Sequence, residues 1–158
     1  MNDARQPARL GQGFYWQDLA VGQRFSTFHR TVTETDLVNF TGVTGMLEAI
    51  FVDATFEDGA IRGRPVPGAL TYALIEGFIL QSMIQGTGLA MLELQQKILA
   101  PVVVGDTIGA EIEVTSIVPT SRSGRAVVES VITVSNQRGE TVMVYTAKRL
   151  LAGAPAAR

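Results

Sequence analysis

Two carboxylates interrupt an apolar run. In the stretch TGMLEAIFVDATFEDG, Thr44 to Gly59, Glu48 and Asp53 stand among Met46, Leu47, Ala49, Ile50, Phe51 and Val52. Acids in such a run either face solvent or belong to a site. A carboxylate packed beside Met46 and Phe51 is desolvated, which raises its pKa and suits it to general-base chemistry near neutral pH. Glu48 is the candidate for that role; Asp53 is read as an N-terminal helix cap. A second candidate lies at Pro67-Gly68, just ahead of a long apolar segment. The first turn of a helix offers unpaired N–H groups and the positive end of the helix dipole. Gly68 lets a ligand approach the backbone closely, and an acyl carbonyl placed there is polarised as in an oxyanion hole. The plainer alternative is that Pro-Gly only starts the helix.

Other chemistries are excluded by composition. The 158 residues include no cysteine and one histidine, so thiolate nucleophiles, disulfides and multi-histidine metal centres are out. His29 reads as a rim or surface residue. No GxGxxG loop occurs, no Ser-His-Asp order assembles, and no cofactor is implied. A net charge of −2 gives no general attraction to nucleic acid or membrane. Charged residues make up only 18% of the chain against 46% hydrophobic, which suggests surface buried against a partner. No signal peptide is visible, and the apolar stretch Ala69 to Ile84 is short for a membrane span. A soluble, cytoplasmic protein is expected.

The elements that must position these residues follow from pattern. Gln23 to Thr33 reads as one strand. Thr33-x-x-Asp36 resembles a capping box, so a short helix begins there. Ala69 to Ile84 is apolar at nearly every helical angle, interrupted by Glu76, and must be buried on most sides. From Leu89 onward the period is two, giving an antiparallel meander with a tight turn at Gly139. A helix apolar all round needs a curved sheet wrapped about it, which is the hotdog arrangement of the α+β class. Its exposed edge strand and rim predict pairing with a second copy. Residues 1–13 are expected to be flexible, 14–151 to form the domain, and 152–158 to be a disordered tail.

The segment Phe40 to Asp53 resembles the MaoC-like family of hotdog acyl-CoA hydratases and dehydratases, whose pattern there is roughly F-x-x-[LV]-[ST]-G-D-x-N-P-[LI]-H-x-D. Phe40, Val43, Thr44, Gly45, Ile50 and Asp53 fit it without a gap. VPGALTYALI is similar to the family's helix start, usually H-G-M-L, with Pro67 in place of the histidine. ILAPVVVGDTI (Ile98 to Ile108) is similar to L-x-P-V-x-V-G-D-x-[IL], and the final hairpin matches too. The resemblance implies an acyl thioester of CoA as ligand, as in fatty acid metabolism. It also implies an Asp and a His that activate water, at the positions held here by Met46 and Phe51. Neither side chain carries a proton, so the usual dyad is replaced.

Three readings follow from this departure. The chain is a hydratase, dehydratase or thioesterase using Glu48; or an acyl-CoA-binding protein whose tunnel is walled by Met46 and Phe51; or the inactive partner in a heteromeric hydratase. CoA phosphates need cations, for which Arg62, Arg64, Lys97, Arg122 and Arg125 are candidates. Pro67, Gly68, Arg122 and Arg125 complete the expected substrate-binding set, and at least a homodimer is expected.

Overall fold

The computed structural model describes residues 9–57, 59–121 and 124–155. Short strands β1 (Arg24–Ser26) and β2 (Arg30–Thr31) lead to helix α1 (Glu34–Thr44), a single turn α2 (Ala49–Val52) and the long helix α3 (Gly68–Gln81). Strands β3 (Gly88–Ile98), β4 (Thr107–Pro119), β5 (Arg125–Ser135) and β6 (Thr141–Ala152) complete the chain. The sheet is antiparallel in the order β1-β4-β5-β6-β3, with β2 also on β4. It wraps α3 in the hotdog arrangement, as the all-round apolar helix requires.

The inward phase of the meander makes the core. Ile112 and Val114 of β4, Val128, Ile132 and Val134 of β5, and Met143, Tyr145, Ala147 and Leu151 of β6 are buried together with Leu70, Ile75 and Ile79 of α3. Full burial of one such aliphatic side chain contributes about 1.5–3 kcal/mol. The capping box forms: the Asp36 N–H donates to Thr33 Oγ1 at 3.2 Å, and the Thr33 N–H to Asp36 Oδ2 at 2.9 Å.

Two expectations change. Gln23 to Thr33 is not one strand but two short ones. Between them the Thr27 hydroxyl accepts the Ala110 N–H at 2.8 Å, a side chain standing where a strand carbonyl would. His29 follows, exposed, with its ring over Gly109. The tail is ordered further than expected: Ala152 ends β6, the Gly153 N–H reaches the Gly124 carbonyl, and the Ala154 N–H donates to Gln17 Oε1 at 3.0 Å. Residues 156–158, and 1–8 at the other end, lie outside the described residues.

The loop Pro101 to Asp106 aims α3. The Val66 N–H donates to the Val102 carbonyl and the Val104 N–H to the Arg64 carbonyl, so the segment entering α3 is laid along this loop. Gly105, at φ +97°, turns the loop so that its N–H meets Val32, whose own N–H returns to Asp106. Asp106 is buried at the centre. Its carboxylate accepts the Val103 N–H at 3.1 Å, Gln137 at 2.8 Å and Arg138 at 3.1 Å. Burial pushes this carboxyl upward, but the three hydrogen bonds and the Arg138 charge together outweigh it and hold it below its ordinary value.

Candidate functional site

Pro65, Val66 and Pro67 are buried and fix the start of α3. Leu70 and Thr71 donate to the Pro67 carbonyl, while the Gly68 and Ala69 N–H groups have no acceptor among the described residues. Two free amides at a helix start are the donor pair an acyl oxygen needs. The space beside Gly68 is filled differently from the sequence reading. A β-carbon there would meet Ile98 Cδ1 at 2.2 Å, so the missing side chain admits Ile98 of β3 rather than leaving open room.

The altered motif lies across a cleft from this helix start. Phe51 is half-buried against the core and, with Ile50, Pro65, Val66, Ile98 and Leu99, lines a cleft of about 370 Å³. Met46 is further out, 42% exposed. Glu48 is the N-cap residue of α2, and its Oε1 accepts the Ala49 N–H at 3.1 Å. It is exposed, so this chain by itself does not supply the desolvation expected of a general base. Asp53 caps no helix start. It stands at the C-terminal end of α2, and its carboxylate folds onto the Thr55 N–H and hydroxyl, whose hydrogen bonds hold it below the ordinary range. The cap role expected of it belongs to Glu48.

The cations divide. Arg64 is structural: it pairs with Glu34 of α1 at 3.0 Å and donates to the Phe51 carbonyl at 3.0 Å, tying α1 to α2. Arg62 and Lys97 are exposed. Arg125 is exposed at the start of β5, level with Ala152, at the end of the sheet where β6 meets Gly88. Gly68 packs at the opposite end, by Ile98, so one chain does not bring Arg125 to the helix start. Arg122 lies outside the described residues.

Sequence reasoning missed one cluster. Glu76, in the middle of α3, is 7% exposed and pairs with Arg149 of β6, itself 5% exposed. The Tyr145 hydroxyl donates to the same Glu76 oxygen at 2.7 Å, and Tyr72 lies edge-on to Tyr145. Burial first, then the Glu76 charge, push both phenols upward, so they stay protonated donors. The signal was present in two places: one acid in a helix otherwise apolar at every angle, and one base in the inward phase of β6.

A family model for the MaoC-like domain matches residues 18–138. The chain belongs to the MaoC-like family. No curated protein sequence matches it significantly. Among solved structures it is similar to a MaoC-like dehydratase from Rhodospirillum rubrum, with 26% identity over 90% of this chain and 99% of that one, at a TM-score of 0.81. It is also similar to an unliganded R-hydratase from Pseudomonas aeruginosa, with 25% identity over 93% and 94% and a TM-score of 0.73. A double-hotdog protein from Mycobacterium tuberculosis shares the fold, with 18% identity over 96% of this chain and 47% of that one, at a TM-score of 0.77.

Proposed function

We propose that this MaoC-like chain binds acyl-CoA thioesters, with the thioester oxygen on the Gly68 and Ala69 amides and the proximal acyl carbons along the Phe51–Ile98 cleft. The free amide pair at the start of a buried helix carries this reading. In it, the usual acid and base are replaced by Met46 and Phe51, neither of which moves protons, and Phe51 walls the cleft instead. Binding without dyad-driven hydration is the outcome this arrangement supports. A second reading, hydration or thioester hydrolysis by Glu48, draws on one observation: its carboxylate stands at the head of α2, the same turn that carries Phe51.

The protein acts as an oligomer in this reading. Met91, Leu94 and Ile98 point to the concave face of the sheet, opposite Arg149, Ala147 and Met143 of β6, yet they are 40%, 39% and 56% exposed. Their register partners on β6 are buried. A face that is core on one strand and bare on the next fits coverage by a second hotdog chain, either another copy or a catalytically complete relative.

The deciding experiment measures binding and turnover of one acyl-CoA and enoyl-CoA panel by the purified protein. The proposal expects ligand-dependent thermal stabilisation and no hydration of enoyl-CoA. Turnover abolished by Glu48→Gln would replace it with the second reading. No stabilisation by any thioester would refute acyl-CoA binding itself.

A further inference from the structure

The Glu76–Arg149 pair is not idle packing. Both side chains line a cavity of about 510 Å³ with Tyr72, Leu80, Ile84 and Met91. Buried ion pairs seldom stabilise a fold better than apolar side chains of the same volume. Here the pair is also left incomplete. Arg149 donates to Glu76 through Nη2 alone, and both bonds received by Glu76 end on Oε1, so Arg149 Nη1 and Glu76 Oε2 have no partner among the described residues. A donor and an acceptor left open in the wall of a largely apolar cavity ask for an oxygen from outside the chain.

The position of the cavity says which molecule brings that oxygen. Helix α3 and strand β3 run side by side: Gly68 abuts Ile98 at one end, and Ile84, in the turn just past α3, abuts Gly88 at the other. The cavity is at the Gly88 end, with Glu76 eight residues along α3 from Gly68, about 12 Å of helix axis. A chain whose thioester oxygen rests on the Gly68 and Ala69 amides, if extended along α3, would bring its distal carbons to Glu76 and Arg149.

Charge decides the chemistry of the distal group. The pair is internally neutral, one carboxylate against one guanidinium. A second carboxylate from the ligand would be buried uncompensated beside Glu76. A plain alkyl end leaves Arg149 Nη1 without an acceptor. A hydroxyl or carbonyl supplies the acceptor and adds no charge, and a hydroxyl can also donate to the unused Glu76 Oε2. We propose that this cavity is a specificity subsite in which Glu76 and Arg149 select acyl chains carrying an uncharged oxygen, hydroxyl or carbonyl, far from the thioester. This rests on the acyl-thioester reading of the α3 start.

The test uses the full chain and non-hydrolysable acyl-CoA analogues that keep the carbonyl. Several chain lengths are each made with an alkyl, a hydroxyl and a carboxylate terminus, and affinities are measured by titration calorimetry. At the length that reaches Glu76, the hydroxyl form is expected to bind about tenfold or more tightly than the alkyl form, and the carboxylate form more weakly than the hydroxyl. In the double variant Glu76→Leu with Arg149→Met, the order reverses and alkyl binds best. Alkyl binding as tight as hydroxyl in the wild type overturns the inference, as does a preference for carboxylate, or a hydroxyl preference that survives the double change. Should the double variant not fold, the wild-type series alone decides. Binding of alkyl chains without any distal preference leaves the thioester reading standing and removes only this inference. Failure of every analogue, alkyl included, removes both.

Discussion

Gly68 at the head of α3 and Ile98 at the end of β3 occupy one space: a β-carbon on the glycine would fall 2.2 Å from Ile98 Cδ1. Ile98 is 56% exposed, so its end can swing away, and the cleft it shares with Phe51 is open to it. Gly68→Ala is therefore expected to change stability by less than about 1 kcal/mol, since alanine also favours the helix. It should weaken acyl-CoA binding, because the displaced Ile98 fills the cleft. Adding Ile98→Ala should restore affinity. A double-variant cycle in titration calorimetry checks this, and an additive cycle would show that the two residues do not compete for the space.

Asp106 gives a pH signature. Its native carboxyl is held below the ordinary value, so the folded state gives up that proton more readily than the unfolded chain. Its contribution is present in full above the unfolded pKa of about 3.9 and is lost as pH falls through the depressed native value. Asp106→Asn turns an acceptor toward one donor and an amide toward another, at a cost of about 1–3 kcal/mol near neutral pH. Urea unfolding of both proteins across the acid range is expected to show the gap narrowing below about pH 4. A gap independent of pH would assign the loss to packing rather than charge.

The Glu76–Arg149 pair should reveal itself in stability as well. Either single change, Glu76→Gln or Arg149→Met, leaves a buried partner uncompensated and is expected to cost about 3–5 kcal/mol. Glu76→Leu combined with Arg149→Met should recover most of that loss, as seen in chemical-denaturation midpoints. If the double variant is as unstable as the sum of the singles, the pair is not coupled.

The fold was legible because α3 is apolar on nearly all sides and β4 to β6 alternate with a period of two; each admits one packing solution. The helix start was legible as well, since Pro67-Gly68 marks it whatever surrounds it. The side-chain site was less so. Glu48 and Asp53 drew attention by standing in an apolar run, but short-range geometry decides their roles: one caps a single turn and the other folds onto Thr55. Glu76 and Arg149 are 73 residues apart and meet only because β6 crosses under α3, which no local pattern records. Thr27 broke an expected strand by a hydroxyl-for-carbonyl exchange, which propensity does not register.

The bare concave face of β3 yields the last prediction. Leu94 lies opposite the buried Ala147 yet is 39% exposed. Neighbouring Leu92, at 54%, and Leu99, at 58%, extend an apolar strip along an edge that no strand pairs on the outer side among the described residues. Monomeric proteins rarely leave such an edge uncovered. If a second hotdog chain covers it, Leu94→Lys buries a charge in that interface and should shift the protein to monomer, as read by light scattering across a dilution series. Cooperative folding of the monomer should persist, since the charge is solvated in the isolated chain. Acyl-CoA binding should fall with dimer content, because the cleft at Ile98 and the cavity at Met91 both open along this strand. A wild-type protein that is already monomeric at micromolar concentration would refute the homodimer and direct the search to a heteromeric partner.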